Sequence, residues 1–206
     1  MGYRLVRLQK IAAESIIDSA REAMNAIPPK RVDKVIKVLV DAHTKQKKVM
    51  IIGVGRSGLV GRAFAMRLMH LDFQVHVVGE TITPALGPGD ILFAVSGSGT
   101  TTFVVDAAMI AKKVGAKVVV ITSYPKSKLG KLANYSIVIP GRIRAASYRD
   151  YFSRQILGTH EPLAPLGTRF ELSAMVFLDS LIVELMEALG KTEAEMKARH
   201  ATVEQP

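Results

Sequence analysis

KVMIIGVGRSG, residues 48–58, is an apolar run that ends in Gly53-x-Gly55-x-x-Gly58. The spacing predicts a strand over Val49–Val54 and a helix over Leu59–Leu71, joined by a glycine turn. Such a turn leaves backbone N–H groups free to face a phosphate at a helix N-terminus. Glu80 closes the following strand at a distance that suits the ribose of a dinucleotide such as NAD. A small phosphorylated sugar is the other ligand this turn can receive.

The same texture continues along the chain. Strands are predicted at Gln74–Val78, Ile91–Val95, Lys117–Thr122 and Ser136–Ile139, with helices at Thr101–Val114 and near Ser127–Ala133. Strands that are apolar throughout and alternate with helices belong in a parallel sheet covered on both faces. The expected fold class is therefore α/β, a three-layer sandwich around a five-stranded parallel sheet with extra helices at both termini. One domain over 1–206 accommodates it: N-terminal helices in 1–46, the sheet core in 47–140, a loop insert in 141–168 and C-terminal helices in 169–206. The first helix carries Ile16, Ile17, Ala20, Met24 and Ile27 at helical spacing, and a second covers Arg31–Thr44. The insert is expected to be mostly loop, with a short helix around Tyr148–Gln155.

Composition narrows the function. With 206 residues, 49% hydrophobic, the chain can bury one sizeable core. No apolar run approaches the ~18 residues of a membrane span, and MGYRLVRLQK lacks a signal-peptide core. A cytoplasmic protein without membrane attachment is expected. There are no cysteines, which excludes disulfides, thiolate catalysis and cysteine-ligated metal. A net charge of +10 can attract nucleic acid or steer phosphorylated metabolites. The basic cluster PPKRVDKVIK lies opposite Val32, Val35, Ile36 and Leu39, which makes it a solvated helix face. No nucleic-acid partner is expected.

A second glycine loop weighs against the dinucleotide. In AVSGSGTTTFVV, residues 94–105, Ser96, Ser98, Thr100, Thr101 and Thr102 surround Gly97 and Gly99. One of these hydroxyls is expected to cap the helix that follows. The others, with free N–H groups at a helix N-terminus, suit a phosphate dianion. Both loops sit at C-terminal ends of parallel strands, where such sheets bind ligands. Gly55, Arg56 and Ser57 of the first loop and Ser96, Gly97, Ser98, Gly99, Thr100 and Thr101 of the second are the candidate substrate-binding residues.

The motifs GVGRSG, FAMRLMHLDF, VGETITP, GD, SGSGTT, SKLGKLA, PLGTRFE and RHATVE follow one another between about Val49 and Glu204. In this order and spacing the chain resembles the 6-phospho-3-hexuloisomerases of the sugar isomerase (SIS) domain family, whose sheet is flavodoxin-like. It departs from the shortest members by a longer 141–163 segment. The resemblance implies interconversion of D-arabino-hex-3-ulose 6-phosphate and D-fructose 6-phosphate in the ribulose monophosphate pathway of formaldehyde metabolism. It also implies no metal or other cofactor, and a homotetramer with sites near subunit contacts.

Moving a carbonyl from carbon 3 to carbon 2 requires a base that takes one proton and returns another, through a cis-enediol. Glu171 in PLGTRFE is the candidate; flanked by Leu166, Phe170, Leu172 and Met175, its carboxylate is expected to be partly desolvated. His200 in RHATVE is the second candidate catalytic residue, in its own or a neighbouring subunit. Arg56 can stabilise enediolate charge or the phosphate. Arg67 and His70, one helical turn apart, are expected to serve packing or an ion pair. The rival functions are an NAD-binding protein built on the first loop alone and a non-catalytic phosphosugar-binding module. The latter usually accompanies a DNA-binding unit, for which the N-terminal helices offer no recognition-helix pattern.

Overall fold

The computed structural model describes residues 2–141, 164–165 and 167–200. The anticipated helix near Tyr148–Gln155 lies outside them. Two helices open the chain, α1 (Gly2–Asn25) and α2 (Pro29–Thr44). Pro28 and Pro29 separate them: proline cannot continue α1, yet its fixed φ and missing N–H suit the first turn of α2. The alternating region follows as β1 (Lys48–Ile52), α3 (Arg56–His70), β2 (Gln74–Val77), β3 (Ile91–Val95), α4 (Thr102–Lys113), β4 (Lys117–Thr122), α5 (Lys128–Leu132) and β5 (Tyr135–Val138). Two helices close it, α6 (Thr168–Leu189) and α7 (Glu193–Ala198). Among these helices none is long and apolar enough to cross a membrane.

All five strands are parallel, in the order β2-β1-β3-β4-β5. This is the α/β architecture the alternation predicts. Because side chains alternate across a strand, each of the inner strands β1, β3 and β4 feeds two cores. Val49, Ile51, Ile91, Phe93, Val95, Val119 and Ile121 point to the face covered by α2, α3 and α6. Met50, Ile52, Leu92, Ala94, Val118 and Val120 point to the face covered by α4 and α5. Phe64 of α3 meets Phe93 at 4.9 Å between ring centroids, which anchors α3 over the middle of the sheet.

Strand order decides where a ligand can sit. The chain leaves β1 toward β2 at one edge, and β3 returns to the other side of β1. The loops that follow β1 and β3 therefore diverge, opening a crevice at the C-terminal ends of the two strands.

Buried Asp90 fixes β1 beside β3 at the opposite end. Its carboxylate accepts from Lys48 N at 3.0 Å and Gly87 N at 2.8 Å, and Lys48 Nζ lies 3.0 Å away. Burial works against its charge, but these donors outweigh it and hold the carboxyl below the ordinary carboxylate range. The lowered value means stability present above the unfolded pKa, about 3.9, and lost as pH falls through the folded value. Asp90→Asn is expected to cost about 1–3 kcal/mol at pH 7, and urea unfolding at pH 7 and pH 3 should show the difference from wild type shrinking in acid.

Candidate functional site

Three loops meet at the crevice. The first leaves β1 through Gly53 and enters α3 at Arg56, three residues before the predicted start. The glycine turn passes straight into helix, with Leu59 N donating to Gly55 O at 3.2 Å. Gly55 and Arg56 are exposed and Ser57 is half-buried.

The second loop follows β3. Ser96 is buried and its Oγ accepts from Gly99 N at 3.2 Å, while Ser98 Oγ accepts from Thr100 N at 3.3 Å. Thr101 occupies the N-cap of α4, but no hydroxyl caps the helix. The expected side-chain cap is thus not made, because the two serines turn back to close their own loop. Thr100 is exposed and Gly97, Ser98 and Thr101 are half-buried.

The third loop, after β4, escaped the sequence reading. Thr122 Oγ1 donates to Gly97 O at 3.3 Å, Ser123 N donates to the same oxygen at 3.1 Å, and Leu129 N donates to Gly99 O at 3.0 Å. Gly99 has φ +63°, and a Cβ there would lie 2.0 Å from Ser127 Oγ. The second loop is therefore clamped from beneath by the third. The available signal was TSYPKSK at the end of another parallel strand, the same position that marks the first two loops.

Glu171 lies in the first turn of α6, whose N-cap Gly167 has φ +85°. Its carboxyl folds back over this glycine; a Cβ on residue 167 would come within 2.7 Å of Oε1. The carboxyl is buried, as its apolar flanks predict, and Arg56 Nε donates to its Oε2. Of the flanking residues, Leu172 is exposed and Met175 half-buried, whereas Phe170 is buried and lies against Gly97 and Gly141. Arg56 and Glu171 are thus joined across the crevice, and Phe170 ties α6 to the second loop.

His200 is placed elsewhere. It follows α7, which is anchored by a capping box: Glu195 N donates to Thr192 Oγ1 and Thr192 N to Glu195 Oε2. Its ring stacks near that of His70, with centroids 5.0 Å apart. Both line a cavity of about 630 Å³ with Arg67, Asp179, Met186 and Lys197. His70 ends α3 and Arg56 begins it, so His200 and Glu171 sit near opposite ends of a helix roughly 20 Å long. Glu80, the residue a dinucleotide ribose would use, pairs with Arg62 at 2.9 Å.

Comparisons with known proteins agree with this architecture. The family model described as the SIS domain matches residues 44–152. The 3-hexulose-6-phosphate isomerase of Methylomonas aminofaciens is 40% identical over 172 residues, 84% of this chain and 87% of the relative. The enzyme of the same name from Bacillus subtilis is 37% identical over 166 residues, 81% and 85% of the two chains. A Methanococcus jannaschii protein, whose crystal structure was taken to infer a function of 3-hexulose-6-phosphate isomerase, superposes with TM-score 0.72 at 34% identity, covering 94% of this chain and 97% of that one. With more than half its length under the family model and relatives this similar over most of their length, the chain belongs to the SIS domain family.

Proposed function

We propose that the protein is an isomerase that interconverts D-arabino-hex-3-ulose 6-phosphate and D-fructose 6-phosphate. The observation that carries this reading is the buried Glu171 carboxyl, joined to Arg56 beside two hydroxyl- and glycine-rich loops at the switch point of the sheet. The names of the relatives supply the substrate class. Phosphate is held by Ser57, Ser96, Ser98, Thr100 and Thr101 with the backbone of Gly55, Gly97 and Gly99. Glu171 removes the proton from carbon 2 of the hexulose and returns one to carbon 3, through a cis-enediol. No metal or cofactor takes part. The reaction serves the ribulose monophosphate pathway in the cytoplasm.

His200 acts on the hydroxyl proton in the site of a neighbouring copy within a homotetramer. Its distance from Glu171 along α3 supports this, as do the exposed apolar residues Leu59, Met66 and Met69 on α3 and Leu172, Val176 and Val183 on the adjoining α6. Separately inactive His200→Ala and Glu171→Gln proteins, unfolded together and refolded as mixed assemblies, are expected to recover activity. Mixed assemblies that form and stay inactive would place His200 in its own subunit's chemistry or outside catalysis.

The direct test is NMR of fructose 6-phosphate with the protein in heavy water, without metal or nucleotide. New ketose signals and deuterium at carbon 3 are expected. An unchanged spectrum with folded protein would leave only a binding function.

A further inference from the structure

We propose that the Arg56–Glu171 ion pair is a phosphate-operated latch, in which the substrate's phosphate draws Arg56 off the carboxyl and uncovers it for proton transfer. The inference rests on the isomerase reading above and adds the means by which that site distinguishes phosphorylated from unphosphorylated sugar. Arg56 lies between Gly55 and Ser57 in the first loop, beside the anion cradle, yet its Nε donates to Glu171 on α6. The two side chains differ in freedom. That of Glu171 is 10% exposed and wedged over Gly167, whereas that of Arg56 is 61% exposed. The arginine is the partner that can swing.

Each state of the latch is physically consistent. With the crevice empty, the pair spares a buried carboxylate from standing without a counter-charge. A phosphate dianion in the adjoining loops carries about twice the carboxylate's charge and offers a pair of oxygens to the planar fork of the guanidinium. Once Arg56 turns to it, Glu171 is released next to the sugar carbons. A sugar without phosphate leaves the base covered, so selectivity acts on the chemical step as well as on binding.

Competition for one guanidinium is reciprocal: what the carboxylate gains from Arg56, the phosphate must displace. Calorimetric titration of inorganic phosphate and fructose 6-phosphate into wild type, Glu171→Gln, Arg56→Gln and the double variant reads this directly. Glu171→Gln is expected to bind both ligands about three- to tenfold more tightly than wild type, since the charge holding Arg56 is gone. Arg56→Gln should bind them about tenfold more weakly, and adding Glu171→Gln to it should bring no tightening. A Glu171→Gln protein that binds phosphate no better than wild type, while wild type turns over fructose 6-phosphate, overturns the latch and leaves the isomerase standing. A wild type that binds neither ligand removes the cradle, and both readings fail. A second measurement needs no variant. In wild-type crystals grown with inorganic phosphate, Arg56 should contact the phosphate and lie beyond hydrogen-bond distance of Glu171; phosphate seated in the loops with the pair intact overturns the proposal.

Discussion

On the proposed chemistry, Glu171→Gln lowers turnover of fructose 6-phosphate by about a thousandfold while the ligand still binds. The substitution keeps the size and shape that fit over Gly167, and the amide oxygen can still accept from Arg56. What it removes is basicity. Arg56 is mostly solvated, so losing its charged partner should alter the melting temperature little. Glu171→Asp should retain part of the activity, because it withdraws the carboxyl by one methylene without abolishing it. The check is kcat by NMR together with fructose 6-phosphate binding by calorimetry. A Glu171→Gln enzyme within tenfold of wild-type kcat would move the base to another residue.

Gly99→Ala is the second large effect. The new Cβ would sit 2.0 Å from Ser127 Oγ and 2.8 Å from Ser127 Cβ, at a backbone φ of +63° that costs a non-glycine residue about 1 kcal/mol before any clash. Neither side can retreat easily. Ser127 Oγ accepts from Gly130 N at 3.1 Å as the cap of α5, and Gly99 O accepts from Leu129 N. The second loop must therefore lift off the third, which breaks up the phosphate cradle proposed above. The expected result is a KM for fructose 6-phosphate raised at least tenfold and a melting temperature lowered by about 5–10 °C, the range for a loss of roughly 2–3 kcal/mol in a chain of this size. Ser127→Gly in the same chain should return part of the stability, since it removes the clash but leaves the strained φ. Unchanged KM and melting would mean that the loops are not clamped together.

Particular elements show why some of this was legible beforehand. β3 and β4 lie where their apolar runs place them, residue for residue, because an unbroken run of branched and aromatic side chains suits a strand buried on both faces. Helix starts were less readable. Periodicity put the start of α3 at Leu59, yet the helix begins at Arg56 in the glycine turn, where no apolar side chain marks the face. The cap expected on α4 went astray for a related reason. Ser96 and Ser98 satisfy N–H groups inside their own loop, a choice made by the loop's curvature and not by residue type.

By itself, the sequence determined the alternation of strands and helices, the two glycine loops and the chemistry their hydroxyls can offer. Those features arise from backbone sterics and hydrophobic patterning over a few residues, so they are written locally. Only the tertiary structure decided that β3 returns beside β1, that Arg56 meets Glu171 across 115 positions of chain, and that His200 sits with His70 at the far end of α3. Those contacts depend on strand order and on how α6 packs along α3. Both are set by burying two faces of one sheet at once, a requirement that no local spacing of residues records.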